Sequence, residues 1–219
     1  MVVIAAIVFD LDGVLIDSEE TWARVRRAYA LAHGGRYPGE ADRAMMGMSS
    51  VEWSRYMHDV LGVDVPPETI SEEVAAQVAE EYRRALPLLP GAVEAVRALA
   101  ARWPLGLASS ANRTLIDLVL RESGLASLFR ATVSSEEVPH GKPAPDVYLE
   151  AAARLSVAAV ECAAVEDSSN GLRAAAAAGM RVVAVPNRAF PPEEDALALA
   201  AVVLDGGVAS LTPETVERL

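Results

Sequence analysis

Along the chain, short apolar runs alternate with stretches in which apolar residues recur every three or four positions, and the alternation becomes regular from Leu89 onward. Runs at Val2–Phe9, Leu105–Ala108, Ala131–Ser134, Ala163–Val165, Val182–Val185 and Val202–Leu204 read as strands. Between them Ala92–Ala101, Thr114–Glu122, Pro145–Leu155 and Asn170–Ala178 have helix-compatible composition, with Gly124 and Gly179 where a helix C-terminal glycine belongs. Strand and helix in strict alternation predict an α/β fold with a Rossmann-like parallel sheet.

The stretch between the first strand and Leu89 follows a different period, helical throughout and without a convincing strand. Asp17 and Glu20 stand at capping-box spacing before a stripe of Trp22, Val25, Tyr29 and Ala32, which stops at Gly34-Gly35. Ser49 and Glu52 repeat the box before Trp53, Met57, Val60 and Leu61, and after Pro66-Pro67 a long acidic helix carries Ile70, Val74, Val78 and Tyr82. Stripes of this kind bury against one another, so an inserted helical bundle is expected over residues 16–86, within a core made of 1–15 and 87–219.

Composition narrows the choice. The 219 residues, about half of them apolar, can form a sizeable core. With 19 Lys and Arg against 31 Asp and Glu, the formal charge of −12 repels nucleic acid and anionic membranes, so any phosphate binding must be local. A single cysteine, Cys162, sits in an apolar run and reads as a buried thiol. The N-terminal apolar run lacks a basic start and leads straight into Asp10, and no stretch is long enough to span a bilayer, so a cytoplasmic protein is expected.

Candidate chemistry falls at the predicted strand ends: Asp10 and Asp12, Ser109 and Ser110, Lys142, and Glu166 with Asp167. Residues just beyond the carboxyl ends of parallel strands meet in one crevice, where ligands bind. An isolated Asp-x-Asp-Gly could be a solvated turn, but four carboxylates with one lysine carry a net charge of about minus three and repel each other without a cation. Magnesium suits such hard oxygen donors and commonly bridges to a phosphate, while Lys142 and donors near Ser109 would bind the phosphate oxygens.

In these segments, FDLDGVLIDS at 9–18, LASSAN at 107–112, GKPAPDVYL at 141–149 and VEDSSNG at 165–171, the chain resembles the haloacid dehalogenase superfamily, in its phosphatase and β-phosphoglucomutase-like branch. The resemblance spans essentially the whole chain, with the motifs in family order. It implies that Asp10 is the nucleophile and a metal ligand, and that Asp12 acts as acid then base, with its carbonyl also on the metal. It further implies that Ser109, the Ser110 amide and Lys142 hold the phosphoryl group, and that Asp167 completes the Mg2+ site with Glu166 ligating it or orienting a water. Dehalogenases of the family lack the second acid, and phosphonate-cleaving members use a cap lysine, whereas residues 14–86 contain none.

The inserted bundle would be a mobile cap hinged near Leu15–Asp17 and Leu86–Pro90, and its specificity residues would include Trp22, Gly47, Met48 and Ser49, joined from the core by Asn112. Asn112 is expected first as a helix cap, and Met45, Met46 and Met48 equally as core filler. His140 reads as a solvated or rim residue, His33 and His58 as surface residues. A mutase would need a cap arginine, yet Ser49 and Ser50 stand where it is expected and Trp22 replaces a typical histidine; Arg24, Arg43, Arg55 or Arg83 could still supply the charge. The expected activity is magnesium-dependent hydrolysis of a small phosphorylated metabolite such as a sugar phosphate, by a monomer or weak dimer. A phosphosugar mutase and a non-enzymatic regulator are the alternatives.

Overall fold

The computed structural model describes residues 3–45, 48–187 and 190–219. Its centre is a six-stranded sheet of β1 (Ala6–Phe9), β2 (Leu105–Ser109), β3 (Phe129–Ser134), β4 (Cys162–Glu166), β5 (Arg181–Ala184) and β6 (Val202–Val203), ordered β3-β2-β1-β4-β5-β6. Every neighbouring pair is parallel. The apolar runs are continuous because both faces are covered, and the side chains alternate between two cores. Ile7, Phe9, Leu105, Leu107 and Val165 point to one, Ala6, Val8, Ala108, Cys162 and Ala164 to the other.

Helices α1 (Glu19–Ala32), α2 (Ala41–Met45), α3 (Ser50–Asp59) and α4 (Pro67–Arg84) follow β1, before α5 (Ala92–Ala100) returns the chain to the sheet. The first core takes in Val96 and Leu99 of α5, Leu115 and Ile116 of α6 (Arg113–Glu122), and runs on without a break into the bundle through Trp22, Val25, Tyr29, Trp53, Val74 and Val78. Burying a side chain of this size contributes about 1.5–3 kcal/mol. The second core lies under α7 (Asp146–Leu155) and α8 (Ser169–Ala177), where the alanine run lets helix and sheet approach closely. Cys162 is free and buried there, as expected.

The two connections to the bundle run side by side. Ile16 and Leu88 form an antiparallel bridge, the Asp17 N–H donates to the Pro87 carbonyl at 2.8 Å, and the Leu89 N–H to the Leu15 carbonyl at 3.0 Å. Several boundaries differ from expectation. Helix α1 begins at Glu19 behind Ser18, so Asp17 is not its cap. The first strand is four residues long, and Val2 lies outside the described residues. Three short helices, α2 and, near the end of the described residues, α9 (Glu194–Leu197) and α10 (Pro213–Glu217), were not foreseen. Among the described residues no helix is long and apolar enough to cross a membrane.

Candidate active site

The sheet order reverses at β1, whose neighbours are β2 on one side and β4 on the other. At this switch point the chain cannot be followed by adjacent helices on both sides, and a crevice opens at the carboxyl ends. Asp10 leaves β1 into it while its N–H still donates to the Val165 carbonyl of β4 at 2.9 Å. Glu166 ends β4, Asp167 follows, and Lys142 enters from the loop between β3 and α7. Lys142 Nζ donates to Asp10 Oδ1 at 2.7 Å and to Glu166 Oε1 at 2.6 Å, with all three side chains buried.

Glu166 is the anchor of this set. Its Oε1 also accepts the Tyr148 hydroxyl at 3.0 Å, and its Oε2 accepts the backbone N–H groups of Asp167 and Ser168 at 2.9 and 3.0 Å and the Ser168 hydroxyl at 3.1 Å. Five donors around a fully buried carboxylate offset the cost of removing it from water. Two glycines make the approach possible. A Cβ on Gly171 would lie 1.7 Å from Glu166 Oε1, and one on Gly13, whose φ is +75°, would lie 1.9 Å from Asp167 Oδ2.

Asp10, Glu166 and Asp167 each present an oxygen within 4.8 Å of the others. Burial pushes the Asp10 carboxyl up to about 8, Lys142 opposing and the charges of Glu166 and Asp12 adding to the rise. Asp167 is raised well above its ordinary value, by burial and then by Glu166 and Asp10, and Asp12 is raised by burial against the opposing influence of Ser18, Lys142 and Arg26. Lys142 loses to burial but gains more from Asp10 and Glu166, so it stays protonated. One ammonium is too little positive charge for these carboxylates. The hard oxygen donors and the charge deficit fit a divalent cation, for which Asp10 and Asp167 keep oxygens free of protein hydrogen bonds.

Asp10, Asp12, Ser110, Lys142 and Asp167 line one cavity of about 600 Å³. Ser109 stands behind it, fully buried, its oxygen accepting the Ala111 N–H at 3.0 Å. From the bundle, Trp22, Met45, Met48 and Trp53 line a smaller cavity of about 60 Å³ that shares Asp12, Glu19 and Ser110 with the large one. Asn112 lines it too but does not cap α6: its Nδ2 donates to Glu136 Oε1 at 2.7 Å and to Ser71 Oγ of α4 at 3.5 Å. Glu136 takes over the capping, accepting the Arg113 N–H at 3.0 Å. Ser49 serves α3, with Glu52 Oε2 accepting from its N–H and hydroxyl at 2.8 and 2.7 Å. Met46 and Gly47 lie outside the described residues. His140 is solvated, against Asp146. Tyr148, Ser168 and Gly171 sit inside the quoted motifs without having been singled out as site residues, and Arg26, which also lines the small cavity, was not foreseen at all.

An α/β core with buried carboxylates and a lysine at the switch point is the outline of a hydrolase of phosphorylated substrates, and similarity to known proteins gives it a family. The family described as haloacid dehalogenase-like hydrolase matches residues 4–179, and the chain belongs to it. It is 34% identical over 194 residues to a probable pseudouridine-5'-phosphatase of Drosophila melanogaster, covering 85% of this chain and 84% of that one. It is likewise 34% identical over 202 residues to hexitol phosphatase B of Escherichia coli (strain K12), covering 84% of each. Among solved structures, CbbY from Rhodobacter sphaeroides in complex with xylulose-(1,5)bisphosphate superimposes with a TM-score of 0.88 at 26% identity, over 99% of this chain and 100% of that one.

Proposed function

We propose that this hydrolase is a magnesium-dependent phosphatase that cleaves a small phosphomonoester, a sugar phosphate or related metabolite, through a phosphoaspartate on Asp10. The observation that carries the reading is the Asp10–Lys142–Glu166 set beside Asp167: a carboxylate oriented by a buried ammonium, next to oxygens a cation can share. The phosphatase names of the relatives support the substrate class.

Asp10 and Asp167, with the Asp12 carbonyl, would hold Mg2+, which when bound supplies the positive charge that keeps Asp10 ionised and neutralises phosphoryl oxygens. Glu166, its oxygens already occupied, holds Lys142 rather than the metal. An Asp10 oxygen attacks phosphorus as the bond to the leaving oxygen breaks, and the Asp12 carboxyl, whose hold on a proton burial strengthens, gives that oxygen its proton. Asp12, now a carboxylate, takes a proton from water, whose oxygen displaces Asp10 from phosphorus and releases phosphate. Lys142, the Ser109 hydroxyl and the Ser110 N–H bind the phosphoryl oxygens.

Residues 16–86 are the cap, entering and leaving through the paired connections at Ile16 and Leu88, and closure over Asp12 excludes bulk water. Hydrolysis rather than transfer to a second phosphate position is supported by Ser50, which is buried in α3, and by Trp22, which packs edge-on against Trp53 with ring centroids 5.7 Å apart. The test is release of phosphate from p-nitrophenyl phosphate: Mg2+ should be required, and chelation or Asp10→Asn should reduce turnover to background. Unchanged rates in either case overturn the assignment.

A further inference from the structure

Arg26 on α1 is buried, 7% exposed, with its guanidinium carbon 4.6 Å from the ring centroid of Trp22 and 4.9 Å from that of Trp53. Of the two buried basic residues among those described, Lys142 is paired with two carboxylates, while Arg26 makes no hydrogen bond or ion pair and its Nε is sealed from solvent without a partner. Burying a guanidinium without a hydrogen-bonded partner costs several kcal/mol in general, and the nearby charges of Glu19, Asp42 and Asp12 and the cation–π contact with two indoles offset this without using its donors. The unused donors therefore point to a missing acceptor.

Its surroundings say what that acceptor is. Arg26 lines the cavity of about 60 Å³ together with Asp12 and Ser110, and Asp12 and Ser110 also line the large crevice beside Asp10. An ester whose leaving oxygen meets Asp12 extends its alcohol portion toward this space. The cavity has room for one small group, and the acidic side chains of Asp12 and Glu19 that border it weigh more against a dianion than against a single charge. A planar singly charged acceptor matches the guanidinium fork.

Resting on the phosphatase reading, we infer that the substrate's leaving group carries a carboxylate, which Arg26 binds from its bed against Trp22 and Trp53. The substrate class is then a phosphorylated hydroxy acid, such as a short sugar acid, rather than a neutral polyol phosphate. Specificity for it is set by a charge in the first cap helix.

The experiment compares kcat/KM for phosphorylated hydroxy acids of increasing length, 3-phosphoglycerate among them, each beside its alcohol counterpart such as glycerol 3-phosphate, with fructose 1,6-bisphosphate beside fructose 6-phosphate as a dianion arm. At least one acid should exceed its alcohol by about ten- to a hundredfold, the range of a charge-assisted pair. Arg26→Gln should bring the acid-to-alcohol ratio close to one, and Arg26→Lys, which keeps the charge without the fork, should leave it intermediate. An acid-to-alcohol ratio near one in the wild type overturns the inference, as does a preference for the bisphosphate that Arg26→Gln removes, which would make the anion a phosphate. If Arg26→Gln lowers acid and alcohol equally, Arg26 is a packing residue and the inference falls. Should no ester be hydrolysed, alcohols included, the phosphatase reading fails and takes this inference with it.

Discussion

Two positions without side chains decide whether the site can exist. Gly171 lies in the first turn of α8 against Glu166, and a methyl group there would overlap the carboxylate that receives Lys142, Tyr148 and three donors from Asp167 and Ser168. Gly171→Ala must push Glu166 aside, and Lys142 moves with it. A shift of an ångström in a catalytic group costs about a hundredfold, and overpacking costs about 1–3 kcal/mol. The expected result is a kcat for p-nitrophenyl phosphate about a hundredfold lower with a modest loss in urea-unfolding free energy; wild-type kcat in this variant would show that Glu166 does not position Lys142. Gly171 was in plain sight in VEDSSNG, yet the need for it is legible only once β4 and α8 are known to meet at that atom. Arg26 did leave a trace: it stands four residues after Trp22 and one after Val25, a charged residue on a face otherwise apolar.

The central strands β1, β2 and β4 were legible because each is buried on both faces and so reads as an unbroken apolar run, and the helices because their stripes have the 3.6-residue period. Helices α9 and α10 are four and five residues long, too short to establish a period. Caps were the weakest reading. Asn112 occupies the right position for α6, but Glu136, distant in sequence, supplies the acceptor, and only tertiary structure brings it there. The same short segment holds a network whose stability should follow pH. Burial alone would raise Glu137, but hydrogen bonds from Arg113, the Ser134 N–H and Arg154 outweigh it and hold the carboxyl at about 2, below its ordinary 4.5. Because the folded value is depressed, the stabilisation is complete above pH 4.5 and is lost as pH falls toward 2. The difference in unfolding free energy between wild type and Glu137→Gln should therefore be steady near neutrality and shrink on acidification; a difference that grows as pH falls would contradict the network. Its size is modest, since the pair is partly solvated.

At the scale of the whole molecule, residues far apart in sequence become one site because the sheet changes direction at β1. Asp10 arrives from β1, Lys142 from the loop after β3 and Asp167 from the end of β4, while the bundle between β1 and α5 brings Trp22, Arg26 and Trp53 over the same opening. The strand-end rule made the core half of this arrangement readable in advance; the cap half depends on how four helices pack, which periodicity does not specify. The central claim is that this convergence allows Asp10 to carry the phosphoryl group. It is tested most directly in Asp12→Asn with p-nitrophenyl phosphate and Mg2+, since the nitrophenolate leaves without a proton but the second step lacks its base. Acid quenching followed by peptide mass spectrometry should find the phosphoryl group on Asp10. Turnover of this variant with no phosphoryl group on Asp10, or with one on another residue, would contradict the account.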